Sequence, residues 1–289
     1  MGYRRLVSLE LPYAIMGVVN VTPDSFSDGG VFDNELAAVA HARRLIGEGA
    51  SIVDVGGEST RPGAAPVPAA EELARVLPVV EGIVRLGAPV RISIDTMKLA
   101  VAEAALDAGA SYVNDVTAFR HDPALAGLVA DRGVDCCLMH MLGDPRTMQE
   151  DPRYDDVVDD VKAFLEERMA AAVAAGVAEE RIQLDPGIGF GKTLAHNLEL
   201  LRRLDELAAI GRPLVIGTSR KSFLGRITGR DVTERAYATA ATSVLAFERG
   251  ARVFRVHDVA ATADALAVAA ATLAAGWTGT PTRTSTTTT

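Results

Sequence analysis

Polar and charged residues recur at the carboxyl ends of eight short apolar runs in this sequence. Three of them, Asp95, Asn114 and Asp185, offer hydrogen-bond acceptors and one amide. Two carboxylates can each accept paired hydrogen bonds from an amino-pyrimidine edge, and such charge-assisted bonds are strong. These side chains therefore suit a flat heterocycle that carries N–H donors and a carbonyl, and Lys221 can donate to that carbonyl or to a ring nitrogen.

A second group of polar residues is suited to an anion. Arg255 and His257 stand two residues apart in one apolar run, so their side chains lie on the same face of a strand. Both can donate hydrogen bonds to a phosphate. Asn20, at the end of the first run, can hold a hard cation through its side-chain oxygen. The sequence thus predicts a phosphate site at which Asn20 could hold a cation.

The elements that must position these residues are strands and helices in strict alternation. Eight such repeats are typical of parallel βαβ units, and a closed (β/α)8 TIM barrel takes about 250 residues. Its active site lies at the C-terminal ends of the strands, and closure places the eighth strand beside the first. An open doubly wound sheet is the alternative, but no dinucleotide fingerprint follows an early strand. The predicted strands are YAIMGVVN, SIVDVGG, VRISIDT, SYVNDV, DCCLMH, RIQLDPG, PLVIGT and RVFRVHD.

The barrel is predicted to be a single domain. It spans residues 13–275, after an N-terminal extension of residues 1–12 that could plug the bottom of the barrel. Residues 276–289 form a Thr-rich tail with little to bury, so we expect it to be disordered.

Composition excludes several other classes of protein. The chain has 289 residues, 48% of them hydrophobic, and a formal net charge of -9, which argues against a general binder of nucleic acid or anionic membranes. The adjacent Cys136 and Cys137 point to opposite faces of a strand and are expected to be free thiols. No signal peptide or apolar span is visible, so we expect a soluble cytoplasmic protein.

The run PGIGFGKT is not a phosphate loop, because Pro186 stands where that motif needs its first glycine.

Several long motifs, taken together, resemble the dihydropteroate synthase family. The resemblance runs from about residue 13 to about residue 273, and the motifs stand in the family's order: MGVVNVTPDSFSDGG, DVGGESTRPGA, SIDT, VNDV, LDPGIGFGKT, GTSRKSFLG and RVHDV. It implies a TIM barrel that joins 4-aminobenzoate to 6-hydroxymethyl-7,8-dihydropterin diphosphate, giving dihydropteroate and diphosphate. Sulfonamides, which mimic aminobenzoate, are implied as competing ligands.

The resemblance also implies a role for each matching residue. The residues implied to be catalytic are Asp95, Asp185, Lys221, Arg255 and His257. The pterin would be held by Asp95, Asn114, Met139, Asp185, Phe190, Gly217 and Lys221. Asn20, Thr60, Arg255 and His257 would bind the diphosphate, with Asn20 as a ligand of Mg²⁺. The aminobenzoate would lie among Phe26, Thr60, Arg61, Pro62 and Ser222.

Two loops are implied to move. The polar, glycine-rich loop after the first strand, including Ser27, Asp28, Gly29 and Gly30, and the loop ESTRPGAAPVP after the second would close over the second substrate. Glycine permits such movement. On this interpretation Phe26, a single aromatic residue in a polar loop, is a substrate contact.

Two other functions are compatible with part of the pattern. A corrinoid-linked pterin methyltransferase could share the barrel and the pterin site, but it would have no use for the Arg255 and His257 cluster. A non-catalytic pterin-binding paralogue is the second alternative. The late helices RAYATAATSVLAFERG and AATADALAVAAATLAA are apolar around more than one face, and the family is commonly dimeric, so we expect a homodimer.

Overall fold

A computed structural model of the chain describes residues 11–22, 31–60, 63–144 and 146–274, without the side chains of residues 31–34. Within these ranges every predicted strand is present. The strands are β1 Ala14–Asn20, β2 Ile52–Gly56, β3 Arg91–Asp95, β4 Tyr112–Asp115, β5 Asp135–Met139, β6 Ile182–Asp185, β7 Leu214–Ile216 and β8 Ala251–Val256. The predicted N-terminal extension, apart from residues 11 and 12, and the predicted tail lie outside the described residues.

The strands form one closed parallel barrel in sequence order, and β8 pairs with β1. Helices follow the strands around the outside. They are α1 Val31–Gly47, α2 Ala69–Arg85, α3 Leu99–Asp107, α4 Ala124–Arg132, α5 Val157–Ala174, α6 Leu194–Arg202, α7 Leu204–Ala208, α8 Ser222–Thr228, α9 Ala236–Glu248 and α10 Val259–Leu273. The fold is the predicted TIM barrel.

The two largest buried apolar clusters fill separate layers of the fold. A large core lies between the helices and the outer face of the barrel, and it includes Cys136. A smaller cluster fills the barrel interior, and Cys137 belongs to it. Both cysteines are buried and free, as strand alternation predicts. The interior cluster consists of Met16, Ile52, Tyr112, Cys137, Val215 and Val253, with Ala14 packed against it.

One helical segment is divided in the structure. The apolar spacing of HNLELLRRLDELAAIG predicts one helix, but α6 ends at Arg202 and α7 begins at Leu204. Arg203 has φ -107 and ψ 29, outside helical geometry. Its guanidinium donates to Glu206 at 2.7 Å and to Asp156, the N-cap of α5, at 2.7 Å. The bend thus ties both short helices to α5.

Candidate active site at the C-terminal end of the barrel

The predicted site residues share the inward face of the strands. Side chains two positions apart lie on the same face of a strand, and several site residues stand two positions beyond a member of the interior cluster. Asn114 follows Tyr112, Met139 follows Cys137, Gly217 follows Val215, and Arg255 follows Val253 in this way. Lateral pairing then makes neighbours of Asp95 and Asn114, and of Met139 and Asp185. The barrel therefore brings these side chains to one mouth.

The fully buried Asp54 carboxylate connects three side chains beneath this mouth. It accepts hydrogen bonds from Ser93 Oγ at 2.5 Å, from Asn114 Nδ2 at 3.1 Å and from Arg255 Nε at 2.6 Å. These bonds fix the amide of Asn114 and the guanidinium of Arg255. Asp54 stands in the second apolar run of the sequence, SIVDVGG, but the sequence assigns it no role; in the structure it is the middle residue of β2. The available signal was an acidic residue inside an otherwise apolar strand, which is costly unless it is paired.

Arg255 joins the two predicted halves of the site. Besides its bond to Asp54, it donates through Nη2 to Asp95 Oδ2 at 2.6 Å. Burial disfavours its charge, but the two carboxylates outweigh burial and raise the pKa of Arg255 above its ordinary value. The sequence predicts Arg255 as a phosphate ligand only. In the structure it also neutralises the carboxylates of the predicted pterin site.

At Asp95 burial has the larger effect, whereas at Arg255 the neighbouring carboxylates outweigh it. Burial raises the pKa of the Asp95 carboxyl to about 7, with Arg255 acting against this rise and Asp54 adding to it. Gly56 lies beside Asp95 in register, and a Cβ on this glycine would stand 3.3 Å from Asp95 Cβ. The glycine thus leaves room for the Asp95 side chain.

Asp185 and Lys221 form the other charged pair of the mouth. Asp185 Oδ1 accepts the backbone N–H of Gly187 at 2.7 Å. Burial raises the pKa of Asp185, against the effects of Lys221 and of the Gly187 N–H. Burial also lowers the pKa of Lys221 to about 8, although Asp185 acts to raise it. Two oppositely charged groups whose pKa values are both shifted by burial, at a barrel mouth, are typical of a functional site.

An apolar wall stands next to this pair. Met139 belongs to a small buried cluster, and Phe190 packs against it. The Lys221 amine lies 4.5 Å from the centroid of the Phe190 ring and also donates to the Ile188 carbonyl. Gly217 borders open space, because a Cβ there would meet no described atom within 4 Å. The arrangement suits a flat ring held between an apolar wall and polar edges.

The predicted phosphate ligands lie on the neighbouring strands. Asn20 ends β1 and is half-buried, and His257 directly follows β8. The His257 ring bonds through Nδ1 to Ser219 Oγ at 2.9 Å, and the His257 N–H donates to the same hydroxyl at 3.0 Å. Thr60 is half-buried beyond β2. Ser219 therefore orients His257, a role that the sequence did not indicate.

A second unpredicted contact orients the loop that carries Lys221. Arg220 donates to Asp258 through two nitrogens, at 2.9 and 2.5 Å. The φ of Arg220 is 58, an uncommon value for a residue with a side chain, so the paired bonds hold a strained turn. This turn places Lys221 inside the mouth and Ser222 at the start of α8, where Ser222 is exposed.

The remaining predicted residues are not described. Phe26, Ser27, Asp28, Gly29, Gly30, Arg61 and Pro62 lie outside the described residues. Their assignment to the aminobenzoate site and to mobile loops stays a prediction.

Known proteins resemble this chain over most of its length. Residues 16–257 match the family described as pterin binding enzyme. The dihydropteroate synthase of Escherichia coli strain K12 is 48% identical over 269 residues, which are 93% of this chain and 95% of that protein. The dihydropteroate synthase of Neisseria meningitidis serogroup C is 50% identical over 264 residues, covering 90% and 92%.

Solved structures agree with these relatives. Xanthomonas albilineans dihydropteroate synthase with 4-aminobenzoic acid superposes with a TM-score of 0.83 at 50% identity, covering 89% of this chain and 91% of that one. The Yersinia pestis enzyme in a sulfonamide drug complex gives a TM-score of 0.86 at 44% identity, covering 93% and 97%. Fold and site thus define a pterin-binding (β/α)8 barrel. Given these relatives, the chain belongs to the dihydropteroate synthase family.

Proposed function

We propose that this barrel mouth condenses 6-hydroxymethyl-7,8-dihydropterin diphosphate with 4-aminobenzoate, giving 7,8-dihydropteroate and diphosphate. The activity is that of a dihydropteroate synthase, a transferase of folate biosynthesis. The observation that carries the proposal is the position of Arg255. Its guanidinium touches Asp95 of the heterocycle group and lies two residues from His257 of the anion group, so both halves of one substrate fit a single mouth.

The pterin half of the substrate is assigned to the acceptors. Asp185, Asp95 and the Asn114 amide can pair with its N–H groups and carbonyl, and Lys221 donates to its ring. Met139 and Phe190 supply the apolar wall beside it. This assignment rests on the inward orientation and burial of these side chains and on family membership.

The diphosphate half is assigned to Asn20, Thr60, Arg255 and His257. In the described part of the chain, no group of three or more His, Cys, Asp or Glu side chains could hold a metal ion. One amide oxygen, from Asn20, fits Mg²⁺, which keeps several waters and prefers substrate phosphates as ligands. When bound there, Mg²⁺ supplies positive charge to the diphosphate leaving group.

The residues act electrostatically in this reaction. An aromatic amine is a weak nucleophile, so the C–O bond to diphosphate breaks early and leaves a resonance-stabilised pterin-methylene cation. Asp95 and Asp185 face that cation, while Arg255 and His257 meet the departing diphosphate. Preorganised charges of this kind are commonly the largest contribution to catalysis. The amine nitrogen then forms the new C–N bond and loses one proton to water, so dihydropteroate, diphosphate and a proton are the products.

The aminobenzoate is assigned to the rim formed by Thr60 and Ser222, completed by Phe26, Arg61 and Pro62. Ser222 is the first residue of α8 and is exposed, so its hydroxyl can donate a hydrogen bond to a carboxylate. Sulfonamides are expected to compete for this rim, as the Yersinia pestis relative was solved in a sulfonamide complex.

The protein is further proposed to act as a homodimer in the cytoplasm. In α9 and α10, Tyr237 is 87% exposed and Val268 is 68% exposed, and Leu245 and Leu273 are also exposed. These two helices pack against each other, so the apolar side chains lie on one side of the barrel. Within the described part of the chain, no helix is long and apolar enough to cross a membrane. Sedimentation at micromolar concentration tests the dimer, and a monomer would contradict it.

The experiment that tests the function is a diphosphate-release assay with and without 4-aminobenzoate. The synthase releases diphosphate only when both substrates are present. A methyltransferase or a non-catalytic pterin binder releases none. Arg255→Met should abolish release, whereas Arg252→Met, the same change at an exposed position of the same strand, should retain it.

A further inference from the structure

Four successive carbonyl groups in the loop after β6 each accept a hydrogen bond from a side chain. This loop, residues 186–193, carries Phe190 and faces Lys221. Buried loops need partners for their backbone polar groups, but side-chain donors on four neighbours in a row are more than a turn requires. The bonds run from Lys221 to the Ile188 carbonyl, from Gln149 to that of Gly189 at 2.6 Å, from Lys192 to that of Phe190 at 3.0 Å, and from the Tyr154 hydroxyl to that of Gly191 at 2.7 Å.

Lys192 is the buried member of this set of donors. We call its amine, together with the two groups it contacts, His140 and the Phe190 carbonyl, the Lys192 clamp. Only 3% of the residue is exposed, and its amine lies 2.8 Å from His140 Nδ1 as well as 3.0 Å from the Phe190 carbonyl. Burial holds the pKa of Lys192 well below its ordinary value, and burial, aided by the Lys192 amine, lowers the pKa of His140 to about 2. Neither group has a role in the reaction described above.

His140 connects the clamp to the floor of the pterin site. Its backbone N–H donates to the Asp185 carbonyl at 2.9 Å, and it directly follows Met139. Its ring packs edge-on against Phe164, with centroids 4.8 Å apart. His140, which is held by β5 and by Phe164 of α5, thus fixes the position of the Lys192 amine. The amine in turn fixes the Phe190 carbonyl through its hydrogen bond.

The loop has little freedom to adjust without this amine. Gly187 has φ 65, and a Cβ there would stand 1.9 Å from the His140 carbonyl oxygen. Gly189 has φ 85, and a Cβ there would stand 2.9 Å from Lys221 Cδ. The backbone therefore approaches both the clamp and the catalytic lysine closely, so a shift in one is transmitted to the other.

We propose that Lys192 is a positioning residue, whose buried amine, held between His140 and the Phe190 carbonyl, sets the Phe190 ring against Lys221 and thereby tunes affinity for the pterin. The inference rests on the proposed pterin site. Lys192 touches no substrate in this scheme. Its loss leaves the Phe190 carbonyl without its partner, so the ring and the Lys221 amine above it lose their fixed separation.

The test compares Lys192→Met with Lys162→Met, the same change at a half-buried position on α5. Calorimetric titration with 6-hydroxymethylpterin measures pterin affinity, and steady-state kinetics gives KM for each substrate. We expect Lys192→Met to weaken pterin binding and to raise the KM for pterin diphosphate by about tenfold. The KM for 4-aminobenzoate should stay within about twofold of wild type, and Lys162→Met should match wild type in every measurement.

A general weakening of the fold would not produce this split between the two KM values. Unchanged pterin affinity in a folded Lys192→Met protein, or an equal rise in both KM values, would overturn the inference. Should Lys192→Met not fold, Tyr154→Phe decides, because it removes the neighbouring bond to Gly191 and should shift pterin affinity in the same direction. Failure of the wild type to bind pterin would instead contradict the proposed function.

Discussion

Replacing Asp185 by asparagine tests the pterin site with almost no change in shape. Asp185 is 6% exposed, and its Oδ1 accepts the Gly187 N–H at 2.7 Å. The asparagine oxygen can keep that bond. Its NH₂ group must then occupy the position of the carboxylate Oδ2, so a donor faces the N–H groups of the pterin.

The size of the effect follows from this mispairing. A buried polar group left without a partner costs about 1–3 kcal/mol, and pterin affinity should fall by about 5- to 150-fold at ~1.4 kcal/mol per factor of ten. Lys221 also loses the negative charge that raises its pKa. A second effect is therefore a lower pKa of Lys221, so that a smaller fraction of Lys221 is protonated near neutral pH.

Calorimetric titration with 6-hydroxymethylpterin, together with thermal unfolding, measures both affinity and stability. Asp115→Asn is the matched control. Asp115 is fully buried at the same end of the barrel, but it accepts bonds from Thr117 and from the Phe119 N–H and follows the inward-facing Asn114. We expect this control to lose stability and to keep pterin affinity. Unchanged pterin affinity in a folded Asp185→Asn protein would refute the assignment of Asp185 as a ligand.

Three further predictions concern the metal, the pH profile and stability. A chelator should abolish diphosphate release and Mg²⁺ should restore it, because the chain offers one metal ligand and the diphosphate supplies the rest. The pH profile of kcat/KM should be bell-shaped, with activity lost as Asp95 gains a proton below about 7 and as Lys221 loses one above about 8. Lys98→Met should lower the free energy of unfolding by about 3–5 kcal/mol, since it strands the Glu58 and Glu72 carboxylates that Lys98 bridges.

Each of these predictions has a contrary outcome. Metal held tightly by the substrate-free protein would contradict the first. An alkaline limb that stays near 8 in Lys221→Arg would show that another group controls it, because arginine does not titrate there. Denaturant unfolding checks the third, with Arg44→Met as control, since the Arg44–Glu48 pair is exposed and should be worth less than about 1 kcal/mol. A Lys98→Met loss no larger than the control's would show that the partly buried Glu58 and the buried Glu72 tolerate separation from the amine.

Strand positions and inward-facing residues were predictable because both are local. Each strand is a short apolar run, and alternation within a run decides which side chains face the interior. Closure of eight such strands then places Asp95, Asn114 and Asp185 at one mouth, since active sites of these barrels form at the strand ends. The structure confirms the barrel and this common orientation.

The contacts that hold the site were not predictable, because they depend on three-dimensional closure. Arg255 and Asp54 lie 201 residues apart in the chain and meet only when β8 joins β1. The break in the helix at Arg203 depends likewise on Asp156, which is 47 residues away. No periodicity or short motif encodes such pairs. The Lys192 clamp was hidden for a further reason, since a lysine in a glycine-rich run suggests a phosphate loop before it suggests a buried amine.

A single-turnover experiment with protein in excess over pterin diphosphate decides whether this barrel is a dihydropteroate synthase. Labelled 4-aminobenzoate and Mg²⁺ are added, and the products are separated and identified by mass spectrometry. We expect one labelled dihydropteroate and one diphosphate for each pterin diphosphate consumed. Accumulation of 6-hydroxymethyl-dihydropterin in place of dihydropteroate, or recovery of intact pterin diphosphate, would contradict it.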